Sequence, residues 1–127
     1  MSRSILLQLV RDSIEEVFQA QRKIDKQALL QEHPLLNEKI PTRVNLLINH
    51  ELLGSAQTPP SQNSSLIDNI IISAKKAAFE DSERKVITIS QYLHCDIELI
   101  LSTPDGVISE IDPPLLQNDT GENIKKS

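Results

Sequence analysis

The stretch TRVNLLINHELLGSAQT, residues 42–58, decides the fold. Its first seven residues alternate, with Val44, Leu46 and Ile48 at every second position. A period of two belongs to a strand with one buried face, because successive side chains point to opposite sides of the pleat. Asn49-His50 interrupts the pattern, and Leu52-Leu53 opens a second apolar segment. Asparagine tolerates the left-handed backbone that a tight hairpin turn requires. The stretch therefore predicts two antiparallel strands turning at Asn49-His50, with ELLGSAQT as the second. The segment after it, QTPPSQNS (residues 57–64), has two prolines among small polar residues and reads as a loop.

Helical patterns flank the hairpin. In residues 4–21, Leu6, Leu9, Val10, Ser13, Ile14 and Val17 recur at spacings of three and four and share one helix face. Arg11, Asp12, Glu15 and Glu16 fall largely on the other face, and Ser2 or Ser4 is positioned to cap the start. Residues 22–33 allow a short helix, ended by His33-Pro34. Beyond the loop, Ser65-Leu66-Ile67-Asp68 has capping-box spacing. Leu66, Ile67, Ile70, Ile71, Ala74, Ala77 and Ala78 give residues 66–80 a broad apolar face, with Asn69, Ser73, Lys76 and Glu80 predicted to look outward. The alanines permit close approach to a sheet. A helical turn is expected at 88–93. Ile97, Leu99 and Leu101 then mark a strand, Pro104-Asp105-Gly106 a turn, and residues 107–111 a short edge strand. The order predicts an α+β domain, a mostly antiparallel sheet with helices packed on it, over residues 1–112, with 113–127 a disordered polar tail.

Composition narrows the function. Phe18, Phe79 and Tyr92 are the only aromatics, so the core must be built from Ile, Leu and Val. A net charge of −5 with scattered basic residues argues against nucleic acid as a partner, since phosphate neutralisation needs clustered Lys and Arg. No run of about 18 apolar residues suggests a membrane span, and the N-terminus lacks the apolar length of a secretory signal. Cys95 is the single cysteine, which suits a reducing compartment. A cytoplasmic protein is expected.

The order of pieces resembles the AMMECR-type domain, also called AmmeMemoRadiSam system protein A. LLQLVRDSIEEVF resembles that family's opening helix, and TRVNLLINHELLGSAQT aligns without a gap to its strand, turn and signature strand. SLIDNIIISAKKAAFED resembles its central helix ending in A-A-F-x-D, and DIELILSTP its later strand. The likeness covers roughly residues 4–104. The signature usually reads L-R-G-C-I-G; here Leu53, Ser55, Ala56 and Gln57 replace its Arg, Cys, Ile and second Gly, while Leu52, Gly54 and Thr58 remain. The resemblance thus implies an AMMECR-like fold, shortened at its C-terminus, with a signature strand at Leu52, Leu53, Gly54, Ser55, Ala56, Gln57 and Thr58 as the binding surface.

That strand has lost chemistry. Arg is the group best suited to grip an anion, and Cys supplies reactive sulfur. Ser55 needs a positioned base to become a nucleophile, and no motif places His33, His50 or His94 beside it. His94-Cys95-Asp96 is a poor start for a metal site, since adjacent side chains of an extended chain point apart; no metal and no cofactor are expected. Cys95 reads as a small, half-buried hydrophobe, Gly54 as a place where only a small residue fits, and Glu98 as a solvated strand residue. The expected function is a non-enzymatic interaction module whose signature strand meets a protein partner or a second copy. The alternative is an accessory enzyme linked to Memo- or radical-SAM-type redox chemistry, using Ser55 with a nearby histidine such as His50.

Overall fold

The structure, a computed structural model, describes residues 4–59 and 63–116. The hairpin forms where the alternation places it. Strand β1 is Thr42–Ile48 and β2 is Glu51–Gln57. Asn49 and His50 both take positive φ, 51° and 69°, which is the pair of left-handed residues that matches a two-residue turn to the strand twist. Strand β3 (Asp96–Thr103) pairs with the other side of β1, and β4 (Gly106–Asp112) pairs with β3. The result is one antiparallel sheet in the order β2-β1-β3-β4.

Helices cover a single face of this sheet. Helix α1 spans Ile5–Gln19; Ser4 caps it by accepting from the Leu7 N–H. It ends at Ala20 in the left-handed conformation, where the Gln21 N–H reaches back to the Glu16 carbonyl. Helix α2 is Lys26–Glu32, capped by Asp25. Helix α3 is Leu66–Phe79 and α4 is Ile89–His94. The interior between α1, α3 and the sheet is aliphatic: Leu9, Val10, Ile14, Val44, Leu46, Leu66, Ile67, Ile70, Ile97 and Leu99 are all buried. Each contributes roughly 1.5–3 kcal/mol of apolar transfer. The three aromatics gather in one place. Phe18 meets Phe79 edge-on at 5.2 Å between ring centroids and Tyr92 at 5.7 Å.

Several expectations need correction. Arg11 is not on a solvated helix face. It is 0% exposed, its Nε bonds Asp112 Oδ2 at 2.7 Å, its Nη2 bonds the Pro113 carbonyl at 2.9 Å, and its guanidinium lies 5.2 Å from the Tyr92 ring centroid. The end of β4 and Pro113 lie against the middle of α1 at Arg11, so a second layer buries the side that periodicity assigns to water. Asn69 and Ser73 are likewise buried. Asn69 Nδ2 donates to the Ile40 and Ser64 carbonyls, tying α3 to the segment before β1. Ser65 makes no side-chain cap, and Asp68 instead pairs with Lys26 at 2.6 Å. The capping box forms at α4, where Thr88 and Gln91 exchange bonds. Cys95 is fully buried. Residues 113–116 stay attached to the body, with Leu115 against the core and the Leu116 N–H on the Leu93 carbonyl; residues 117–127 of the expected tail lie outside the described residues. Among the described residues, no helix is long and apolar enough to cross a membrane.

Candidate functional site

Strand β2 is an edge strand, and its side chains divide cleanly. Gly54 and Ala56 lie opposite Leu46 and Val44 and so face α3. Ser55 and Gln57 lie opposite Asn45 and Arg43 on the uncovered face. The register slips between Leu46 and Leu47, so Leu53 occupies a bulge. Two residues opposing one bends the edge and re-aims the neighbouring side chains. Leu53 packs against the core margin, whereas Leu52 pairs with Leu47.

Gly54 is fixed by helix α3. A Cβ at this position would stand 1.9 Å from the Ala77 carbonyl oxygen. The small side chains Ala74, Ala77 and Ala78 let the α3 backbone come down onto the sheet, and the absence of a Cβ at 54 completes that approach.

The uncovered face carries a row of hydrogen bonds across three strands. The Ser55 hydroxyl donates to Asn45 Oδ1 at 2.6 Å, and Asn45 Nδ2 donates to Glu98 Oε1 at 3.0 Å. Beside it, Arg43 Nη2 donates to Gln57 Oε1. Half-buried Leu47, Leu52 and Ile100 surround the row. The edge of β2 is capped by a carboxylate: the Ser55 backbone N–H donates to Asp81 Oδ2 at 3.0 Å, and Arg84 Nη1 bonds the same oxygen at 3.0 Å. Arg43, Ser55, Gln57, Asp81 and Arg84 border a shallow depression of about 330 Å³. It is open, and Leu52 and Ala56 line it beside the polar groups, unlike the enclosed apolar form usual for a small-molecule site.

The Glu83 N–H, working against partial burial, together with the Ser55 N–H and Arg84, holds the Asp81 carboxyl below its usual value. A lowered folded-state pKa contributes stability at neutral pH. That stability is lost as the pH falls below 3.8, the unperturbed value, and through the folded one. Asp81→Asn should therefore lower the urea midpoint at neutral pH and converge with the parent protein in acid. A difference that does not change with pH would show that the charge of Asp81 is immaterial.

The sequence-predicted candidates separate in space. Leu52 to Gln57 stay together on β2, and just beyond it the Thr58 hydroxyl accepts from the Thr42 N–H. His50 sits in the exposed turn, His33 ends α2, and His94 Nδ1 bonds the Ser90 carbonyl. The Ser55 hydroxyl bonds Asn45. Cys95 donates to the Tyr92 carbonyl, and burial pushes its thiol up to about 11, far from a reactive thiolate. No group of three or more His, Cys, Asp or Glu able to hold a metal occurs among the described residues. Glu98 is half-buried and accepts from Asn45, so it is not a freely solvated strand residue. Sequence reading missed Asn45, Arg43 and Asp81 as members of this surface. For Asn45 and Arg43 a signal existed, since alternation with Val44 and Leu46 puts both on the uncovered side.

No protein-family model matches the sequence, and no curated protein matches it. Among solved structures, an uncharacterised protein from Pyrococcus horikoshii has a similar fold, with a TM-score of 0.67 at 23% identity over 78% of this chain. The match takes in 50% of that protein, so this chain spans about half its length. The likeness is to an α+β fold with helices on one side of an antiparallel sheet.

Proposed function

We propose that this is a non-enzymatic protein-interaction domain of AMMECR-like fold, whose uncovered sheet face around β2 receives a protein partner. The observation that supports this reading is the spent hydroxyl of Ser55. It donates to Asn45, Asn45 donates to Glu98, and the row lies open between Leu47, Leu52 and Ile100. A pre-ordered polar row with apolar flanks offers a partner satisfied hydrogen-bond geometry and area to bury, without a nucleophile poised for attack.

A photo-crosslinking side chain at Leu52 tests the reading in cells of the source organism. It should yield a discrete protein adduct that is absent when the same side chain replaces Gln27, which is exposed on α2. Equal labelling from the two positions, or none from Leu52, would remove the support for β2 as the binding face.

A further inference from the structure

The two edges of the sheet are treated differently. The β2 edge is interrupted by the bulge at Leu53 and capped at the Ser55 N–H by Asp81. These are the devices that keep an edge strand from pairing with another chain. Among the described residues the β4 edge has neither. Its seven residues, Gly106–Asp112, pair with β3 without a register shift and include no Lys, Arg or Pro. Its two acidic residues are engaged elsewhere, Glu110 accepting from the Ser4 hydroxyl and Asp112 bound to Arg11. Val107 is 72% exposed and Ile111 63%. Both lie on the uncovered face, as does Ser109 between them.

We infer that β4 is the seam of a homodimer, pairing antiparallel with β4 of a second copy to form one eight-stranded sheet. The occupant follows from the strand's own symmetry. A two-fold axis perpendicular to the sheet keeps both helical layers on one side, and it requires one residue to pair with itself. Ser109 is the midpoint of 106–112. Centring there sets Val107 opposite Ile111 of the second copy on the uncovered face, and Ile111 opposite its Val107. Ser109 meets Ser109, and Glu110 meets Ile108. Apolar side chains face apolar ones, and no like charges stand directly opposed. Centring on Glu110 would oppose two carboxylates, and centring on Ile108 would shorten the seam. Main-chain hydrogen bonds supply the attraction, as in strand addition generally. This inference is independent of the reading of β2, which is the opposite edge strand of the sheet.

Sedimentation of the full chain over a concentration series tests it. The parent protein should show a monomer–dimer equilibrium. Ser109→Lys, at an exposed position, should raise the dissociation constant about fivefold or more while leaving the circular dichroism unchanged, because it sets two ammonium groups opposite each other. Ser109→Cys should form an intermolecular disulfide on mild oxidation, and Ser102→Cys, on the neighbouring strand, should not. A monomer at every concentration with no Ser109→Cys crosslink would overturn the proposal, including the case in which residues 117–127 of the same chain occupy this edge. A dimer indifferent to Ser109→Lys would overturn it by placing the contact on another surface.

Discussion

Gly54→Ala is expected to lose about 3 kcal/mol of stability or more. The added Cβ would sit 1.9 Å from the Ala77 carbonyl oxygen, and that oxygen belongs to helix backbone, not to a side chain that could rotate away. Relief requires α3 to lift from β2. Lifting it would open the contacts of Ala74, Ala77 and Ala78 and strain the Asn69 bonds that hold α3 to the Ile40 segment. Gly106→Ala is the matched control. Gly106 has φ of 131°, and nothing lies within 4 Å of an added Cβ, so only backbone conformation is at stake. That cost is of the order of 1–2 kcal/mol. Urea unfolding of both variants separates the two causes. Equal losses would show that the α3 backbone does not press on β2 at Gly54.

Arg11→Met should cost about 3–5 kcal/mol, because it breaks a buried ion pair by removing one of its members. The side chains of Arg11 and Asp112 are 0% and 7% exposed, and they join α1 to the end of β4 across more than a hundred residues of sequence. The same guanidinium packs over Tyr92, whose hydroxyl donates to Glu15 at 2.6 Å. Burial, and then that hydrogen bond, push the Tyr92 hydroxyl well above its ordinary value, so it remains a neutral donor. Among the described residues Arg11 Nη1 has no hydrogen-bond partner, which leaves part of the desolvation cost without offset. The pair is therefore costly to build and more costly to break. Arg11→Met combined with Asp112→Leu should recover a large share of the loss, and a double-mutant cycle measured by urea unfolding gives the coupling directly. A single-variant loss below about 1 kcal/mol would contradict the buried pair.

The two residues show where sequence reading succeeds and where it stops. Gly54 was legible as a position that only a small residue fits, because a glycine inside a strand pattern signals close approach of something. What approaches, the carbonyl of Ala77, was hinted at by three alanines on one helix face and no more. Arg11 was misplaced outright. Helix periodicity sorts residues by one buried face, and it fails where a second layer covers the other side. Asn69 and Ser73 were misread for the same reason. Ser65-Asp68 had the right spacing for a cap, but Asp68 was drawn to Lys26, a long-range partner that no local window contains.

The candidate surface divides in the same way. That Leu52 to Gln57 form a strand, with Ser55 pointing away from the core, follows from alternation alone. That the Ser55 hydroxyl is taken up by Asn45, and Asn45 by Glu98, depends on register between strands separated in sequence by up to 53 residues. That Asp81 closes the β2 edge depends on where the chain goes after α3.

By itself the sequence determined the local elements: a hairpin turned at Asn49-His50, an alanine-faced α3, and strands from two-residue alternation, because backbone preference and hydrophobic period act within a few residues. Only the tertiary structure decided which edge was closed, which polar groups were buried and what Ser55 was bonded to. Those outcomes depend on charges and hydrogen-bonding groups brought together from distant parts of the chain, and a buried donor takes whichever acceptor the packing sets beside it.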